Sequence, residues 1–234
     1  MDNLNDEIIK ALKVQREIFG DLLFNEEENI IIKRKTEIVS ETFHAAKSLE
    51  ELNSLICNCM KCELGDTRKN FVFGTGNPNA EALILGEGPG AEEDEQGLPF
   101  VGRAGKLLND ILKAIKFERS EVYIANIVKC RPPGNRTPTP VEMETCMPYL
   151  KKQIELINPK LILCVGLTAA HGLLHNKESL TSLRGKVFEL EGRKVMVTYH
   201  PAALLRNPNW KRGCWEDVQA FRKLYDEIIK KNTP

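Results

Sequence analysis

The sequence predicts an α/β fold in which helices flank a parallel sheet, with a helical extension at the N-terminus. Four apolar runs of strand length occupy residues 82–85, 122–128, 160–165 and 194–198. Amphipathic stretches of helical spacing separate or follow them at about 102–116, 140–157, 167–175 and 215–231. Strands that alternate with helices in this way are typical of a parallel sheet with crossover helices.

Two local signals support individual elements. Thr139 precedes Pro140, an arrangement favoured at helix starts because threonine caps the helix and proline fits its first turn. Gly192 separates residues 187–190 from residues 194–198, and this predicts a hairpin at the end of the sheet.

Composition and the start of the chain set the domain organisation. The 234 residues are 42% hydrophobic and 28% charged, as in ordinary globular proteins. Residues 4–24 show helical spacing ahead of every other motif, so we assign residues 1–40 to a helical extension and residues 41–234 to the main domain. No apolar stretch approaches the ~20 residues that span a bilayer, and no secretory signal is apparent. We expect a cytoplasmic monomer that does not bind membranes.

Charge is unevenly distributed along the chain, although the net charge is zero. Residues 184–231 hold 11 basic and 6 acidic side chains. Such a face suits a nucleic-acid backbone, but a solvated helix surface explains the same pattern, and charge alone favours the second interpretation.

The seven cysteines are not expected to form disulfides in the cytoplasm. Cys59 and Cys62 form a C-x-x-C, and Cys130 and Cys146 end the segment CRPPGNRTPTPVEMETC. Thiolates in such loops are typical metal ligands, and both zinc and an iron–sulfur cluster accept four of them. The spacing does not choose between these metals, and reduced thiols without a metal remain a third interpretation.

Residues 86–100 are predicted to form a loop that joins glycines to a group of acids. The glycines nearest the strand are Gly86, Gly88 and Gly90, and the acids are Glu87, Glu92, Glu93, Asp94 and Glu95. Glycine-rich turns after a strand usually cradle phosphates, but a phosphate loop needs a lysine rather than carboxylates. The loop therefore indicates a ligand other than the phosphates of a free nucleotide.

Polar residues follow or end three of the apolar runs, namely Glu87, Asn126 and His200. Each alone is ordinary, but ligands bind beyond the carboxyl ends of parallel strands, so the three together predict one site. With the ring of Phe100 as a stacking face, the site suits a planar heterocycle. The Asn126 carboxamide matches the N3–H and O4 edge of uracil, and His200 can donate to O2 of a departing base.

An enzyme that acts on a base in DNA must flip it out of the stack, which requires a wedge and phosphate clamps. In the segment YHPAALLRNPNWKRG, Leu204 is the candidate wedge and Arg206 a candidate clamp. A helix start whose leucines pack on the core explains the same segment equally well.

Four segments make the chain resemble the type-4 uracil-DNA glycosylases, the iron–sulfur branch of the uracil-DNA glycosylase superfamily. They are CMKCELG from Cys59, GEGPGAEEDEQGLPFVGRAGKLL from Gly86, NIVKCRPPGNRTPTPVEMETC from Asn126 and HPAALLR from His200. The resemblance covers the chain from about residue 50 to its end and leaves the N-terminal extension outside.

The resemblance implies three αβα layers around a four-stranded parallel sheet, and a structural 4Fe–4S cluster on the four paired cysteines. It also implies an enzyme that hydrolyses the N-glycosidic bond of uracil in single- or double-stranded DNA and leaves an abasic site. Uracil would stack on Phe100 and be held by Asn126 and the Glu87–Gly88 backbone. His200 would lie at O2, and Leu204 would be the wedge.

The resemblance also bears on two further roles, contact with DNA and the positioning of water. Lys129, Arg131 and Arg136, beside Cys130, are expected to contact DNA. The best-known glycosylases of the superfamily have GQDPYH where this chain has GEGPGA, so Gly88 replaces their water-holding aspartate. The candidates for that role are Glu87, Glu93 and Asp94, of which Glu87 is nearest the strand end.

Two other functions compete with the glycosylase. A non-catalytic iron–sulfur module that binds nucleic acid explains the cysteines and the basic C-terminal part but gives Glu87, Asn126 and His200 no task. A zinc-bearing nucleotide hydrolase is disfavoured by the missing phosphate-loop lysine.

Overall fold

The sheet organises the computed structural model, which describes residues 43–231. Its six strands are β1 (Thr75–Gly76), β2 (Ala82–Gly86), β3 (Tyr123–Asn126), β4 (Leu161–Val165), β5 (Phe188–Leu190) and β6 (Arg193–Thr198). They are ordered β1-β3-β2-β4-β6-β5. The four inner strands are parallel, and both edge strands are antiparallel to their neighbours. The predicted four-stranded sheet is thus the centre of a six-stranded one. Strand β5 is the predicted hairpin partner of β6, whereas two-residue β1 is too short to show a period.

The helices precede, separate and follow these strands. In the described part of the chain they are α1 (Leu49–Ile56), α2 (Leu64–Thr67), α3 (Ala91–Gln96), α4 (Arg103–Ala114), α5 (Pro140–Ile157), α6 (Leu167–Leu174), α7 (Leu180–Leu183), α8 (Pro201–Arg206) and α9 (Lys211–Lys231). Helix α5 has the predicted bounds, and a capping box between Thr139 and Glu142 fixes its start. None of the helices in residues 43–231 has the length and apolar character needed to cross a membrane.

The core forms on both faces of the parallel strands, which explains why their sequences are continuously apolar. Every residue of β2 and β4 is buried. On one face, Ile84 and Leu163 join a cluster that includes Leu108 of α4 and Phe221 of α9. The alternate residues, such as Leu85, are equally buried on the other face. Helix α6 packs on β2 and β4, and α9 packs on β6.

The acidic segment after β2 is not the continuous loop that the sequence predicted, because Ala91–Gln96 form α3. Its acids explain the helix, since carboxylates in a first turn stabilise a helix N-terminus. Gly97, with φ of 70°, ends the helix in the left-handed conformation.

The elements from Leu49 onward belong to one compact unit, Ala46–Pro234. Phe43–Ala45 form a short 3-10 turn. The predicted helical extension over residues 1–40 lies outside the described residues.

Candidate active site

A cavity of about 410 Å³ lies at the carboxyl ends of the parallel strands. Glu87 directly follows β2, Asn126 is the last residue of β3, and His200 lies two positions after β6. All three line the cavity. The chain passes from β2 to β3 on one side and then to β4 on the other, so the cavity lies where the strand order reverses, the usual ligand site of such sheets. Gly88, Phe100, Arg136 and Arg206 also line it.

Asn126 has a buried polar atom without a partner. Asn126 is 2% exposed, and no residue that the structure describes hydrogen-bonds to the Asn126 Oδ1. Buried amide oxygens are nearly always hydrogen-bonded, so this atom is available to a donor on a ligand. A Cβ on Gly86 would lie 2.4 Å from Oδ1 and 2.6 Å from Cζ of Phe100. Glycine at this position therefore keeps open the space between the carboxamide and the ring.

Phe100 places an aromatic ring beside this carboxamide. Its ring centroid lies 5.7 Å from that of His200, with an angle of 33° between the two planes. The backbone of Phe100 has a φ of 53°, which is rare for a bulky residue. A ring in this position can stack on a planar ligand that Asn126 holds by its edge.

His200 is held in one orientation by the helix that follows it. It is the N-cap of α8, and its Nδ1 accepts a hydrogen bond from the backbone N–H of Ala202 at 3.2 Å. The hydrogen of the neutral ring is therefore on Nε2. Burial, together with the smaller effect of the charge of Arg206, lowers the pKa of His200 to about 4 against the opposing effect of Glu93. At neutral pH the ring is an uncharged donor through Nε2.

The three candidate acids have different environments. Glu87 lines the cavity, and its carboxylate makes no hydrogen bond or ion pair with any residue in 43–231. Glu93 also lines the cavity, but its Oε1 accepts the backbone N–H groups of Val101 and Gly102 at 2.9 and 3.0 Å. Of these two carboxylates, only that of Glu87 has no backbone partner among the described residues.

The prediction that Asp94 acts in the site is wrong. Asp94 is 2% exposed, does not line the cavity, and accepts the backbone N–H groups of Lys69 and Asn70 at 2.9 and 3.3 Å. Its neighbour Glu93 faces the cavity on the same short helix, and consecutive residues of a helix point about 100° apart. Asp94 therefore joins residues 69–70 to α3.

The prediction that Leu204 is an exposed wedge is also wrong. Leu204 is 1% exposed and belongs to the apolar cluster of the core. Because the segment is helical, its two consecutive leucines point in different directions, and the exposed one is Leu205, at 39%. The competing interpretation, a helix start with a leucine packed on the core, describes α8 correctly.

The three predicted arginines lie at or near the cavity mouth. Arg206 is exposed and lines the cavity. Arg136 lines it as well, but its guanidinium binds both oxygens of Glu142 at 2.8 and 2.6 Å, which holds the pKa of Glu142 at about 2. Arg131 does not line the cavity; its Nε donates to Oδ1 of Asn135 at 2.7 Å. Arg206 is thus the arginine of the three with its charge free.

The four paired cysteines lie close enough to one another that their charges are coupled. Burial is the main cause that raises the pKa of Cys62, of Cys130 to about 11 and of Cys146 to about 12, and neighbouring cysteines, Cys59 among them, raise it further. Within residues 43–231, no three histidine, cysteine, aspartate or glutamate side chains are grouped so as to hold a single metal ion. The thiols are thus near enough to affect one another's pKa values.

Several donors that sequence patterns did not reveal face these sulfurs. The Tyr149 hydroxyl donates to Sγ of Cys59 at 3.3 Å, and Nη1 of Arg68 donates to Sγ of Cys130 at 3.3 Å. Lys129, which was expected from the sequence to contact DNA, is instead fully buried, and its Nζ donates to the Asn126 carbonyl oxygen at 2.8 Å. Burial lowers the pKa of Lys129 to about 8, against the opposing effect of the cysteines. Positive charge and hydrogen-bond donors are thus directed toward the cysteine group.

Comparisons with known proteins agree with this geometry. The model of a family described as the uracil DNA glycosylase superfamily matches residues 73–224, and the chain belongs to this superfamily. A type-4 uracil-DNA glycosylase of Archaeoglobus fulgidus is 42% identical over 196 residues, which are 80% of this chain and 96% of that protein. Those of Thermotoga maritima and Sulfurisphaera tokodaii are 47% and 44% identical, over 94% and 84% of their lengths. Within the superfamily the chain is therefore a member of the type-4 family.

Proposed function

We propose that this protein removes uracil from DNA by hydrolysing the N-glycosidic bond of a deoxyuridine that is flipped into the cavity. The observation that carries the proposal is the buried, unpartnered Oδ1 of Asn126, which faces the cavity beside the Phe100 ring. Oδ1 can accept from N3–H of uracil while the amide nitrogen donates to O4. Cytosine has an acceptor at N3 and a donor at position 4, so the same carboxamide discriminates against it.

His200 supports departure of the base. When the bond between C1′ and N1 breaks, its electron pair moves onto uracil and raises the negative charge on O2. The neutral Nε2–H of His200 is a fixed donor for that oxygen, and a donor arranged before the reaction needs little reorganisation. The sugar that remains is cationic and is captured by water.

Glu87 is the residue that we propose positions this water. It lines the cavity, and its carboxylate is free of partners within the described residues, so it can accept a hydrogen from water and stabilise the cationic sugar. Glu93 lines the same cavity with one oxygen engaged by the backbone, which favours a supporting role. Gly88 lets the backbone after β2 pack closely on Val128, since a Cβ there would lie 2.7 Å from that side chain, and this backbone lines the cavity.

The four paired cysteines are proposed to bind a 4Fe–4S cluster. Four cysteine thiolates are the ligand set of such a cluster, and the type-4 family that the chain resembles is the iron–sulfur branch of its superfamily. The proposal is supported by thiols that raise one another's pKa and by the donors on Tyr149 and Arg68 that bind two of the sulfurs. When bound, the cluster ties together both ends of the loop between Cys130 and Cys146, which carries Arg131 and Arg136.

DNA binding is proposed to use the exposed end of α8. Leu205 replaces Leu204 as the proposed wedge, because it is the exposed leucine of that helix. Arg206 is the proposed phosphate clamp, with Arg131 and Arg136 farther along the surface. We further propose that this machinery is confined to residues 41–234, that residues 1–40 are an appended segment, and that the protein acts as a monomer.

The test is release of free uracil from a uracil-containing oligonucleotide under single-turnover conditions. Asn126→Ala should lower the rate about 100-fold, the effect of removing one fixed polar contact from a transition state, with DNA affinity by fluorescence anisotropy nearly unchanged. Gln153→Leu, which removes another buried amide with an unpartnered oxygen outside the cavity, is the matched control and should leave the rate unchanged. DNA binding without uracil release by the unmodified protein would instead favour the non-catalytic module.

A further inference from the structure

The Phe100 ring is held by a strained stretch of backbone. Its φ of 53° lies in the left-handed region, which a bulky residue adopts only when its surroundings enforce it. Helix α4 packs closely on this residue, since a Cβ on Gly105 would lie 2.0 Å from the Phe100 carbonyl oxygen. Packing by glycine leaves space for the strained conformation but does not by itself hold it, so other contacts must do so.

Arg119 binds the carbonyl side of this stretch. It lies after the end of α4, and its Nη2 donates to the Pro99 oxygen at 2.5 Å while its Nη1 donates to the Phe100 oxygen at 3.2 Å. Nη1 also donates to Oδ1 of Asn109 at 2.9 Å, which orients the guanidinium. A planar fork that binds two successive carbonyl groups fixes the relative orientation of the two peptide groups that meet at the Phe100 Cα.

Glu93 binds the amide side of the same stretch, through the N–H groups of Val101 and Gly102. Opposite charges therefore hold the peptide groups that precede and follow the Phe100 side chain. The two side chains are also close enough to interact, because the charge of Glu93 raises the pKa of Arg119 against the lowering effect of burial. Arg119 is absent from the residues that line the cavity, so it reaches the ligand only through Phe100.

We propose that Arg119 is a positioning residue for the uracil site, which with Glu93 clamps the backbone of residues 99–102 so that the Phe100 ring stays stacked on the base. The inference rests on the proposed function, because it takes Phe100 as the stacking face for uracil. Without the clamp the Phe100 backbone relaxes toward negative φ, which turns the bond between Cα and Cβ and moves the ring away from Asn126. The strained backbone then contributes to binding rather than being incidental to the fold.

The test compares Arg119→Met with the matched control Arg222→Met. Arg222 makes the same kind of contact at the far end of α4, donating through Nη1 to the oxygens of Ile115 and Lys116 at 3.3 and 2.7 Å, beside the positive φ of Lys116. Arg119→Met should lower the single-turnover rate of uracil release and weaken inhibition by free uracil, each about tenfold or more, as misplacement of a binding group does. Arg222→Met should lower the melting temperature but change neither quantity.

A double-mutant cycle with Phe100→Ala separates positioning from general stability. In the Phe100→Ala background, Arg119→Met should cause no further loss of rate, because the ring that it positions is gone. Arg119→Lys, which keeps the charge but cannot bind both carbonyl groups, should give a smaller loss of the same kind and serves if the methionine variant fails to fold. An undiminished effect of either variant in the Phe100→Ala background, or unchanged uracil inhibition, overturns the inference alone. Failure of the unmodified protein to release uracil overturns the proposed function, and the inference with it.

Discussion

His200 should remain neutral until the pH falls to about 4, and this has a measurable effect on stability. Burial is the main cause of its lowered pKa, and the charge of Arg206 acts in the same direction. In the unfolded chain the imidazole regains its ordinary value of 6.5. Between these two values the unfolded state binds a proton that the folded state does not. Acid therefore favours unfolding across this pH range, and the folded protein loses stability as the pH falls through it.

The magnitude follows from the two pKa values. Linkage predicts a loss of about 2 kcal/mol from this group between pH 7 and pH 5, rising to about 3 kcal/mol below pH 4, where both states are protonated. His200→Asn should lack this loss, because asparagine does not titrate. It also keeps an acceptor for the Ala202 N–H, since asparagine is a favoured N-cap residue.

The assay pairs two measurements. Urea unfolding of both proteins at several pH values gives the difference in the free energy of unfolding, which should change in favour of His200→Asn by about 2 kcal/mol as the pH falls from 7 to 5. NMR titration of the imidazole, assigned by its loss in that variant, should show a midpoint near 4. His171→Asn, at a half-buried histidine outside the cavity, controls for general effects of the substitution. An imidazole that titrates near 6.5, or a free-energy difference that stays constant with pH, would refute the reasoning.

Two further predictions concern the wedge and the cysteines. Leu204→Ala should lower the free energy of unfolding by about 2–5 kcal/mol, as core truncations do. Leu205→Ala should leave that free energy unchanged but slow uracil release from double-stranded DNA more than from single-stranded DNA. Equal effects on the two DNA forms would contradict the wedge assignment. Cys146→Ser should abolish the brown colour and the matching iron and sulfide content of the purified protein, and it should lower the melting temperature. Cys164→Ser, which changes a buried cysteine outside the group, should retain both iron and sulfide. A colourless unmodified protein purified without oxygen would contradict the cluster.

The position of the site was predictable from the sequence because it depends on topology rather than on packing. Parallel strands bring their carboxyl ends to one edge, so residues that follow separate strands meet there whatever lies between them. Glu87, Asn126 and His200 are far apart in the chain and line one cavity. The alternation of apolar runs with helical stretches predicted the parallel centre of the sheet, but it gives no signal for a two-residue edge strand such as β1.

Features that depend on side-chain direction were not predictable. Whether Leu204 or Leu205 is exposed depends on the angular phase of α8, and that phase is set by His200 at the N-cap and by the surface on which the helix packs. Burial of Lys129 likewise depends on the cysteine group beside it, since lysine is almost never fully buried without a partner. Arg119 had no signal at all, because its partners are backbone carbonyl groups 19 and 20 residues away.

The structure also narrows the choice of acid that the sequence left open. A carboxylate that positions water must face the cavity and have a free oxygen. Asp94 fails the first condition, because it is buried and binds the backbone of residues 69–70. Glu93 faces the cavity, but its Oε1 already accepts the backbone N–H groups of Val101 and Gly102. If this oxygen turned toward water, it would release the backbone that holds Phe100. Glu87 meets both without disturbing any contact in the described part of the chain. We therefore propose that the role of the familiar aspartate, replaced here by Gly88, belongs to the residue one position nearer the strand.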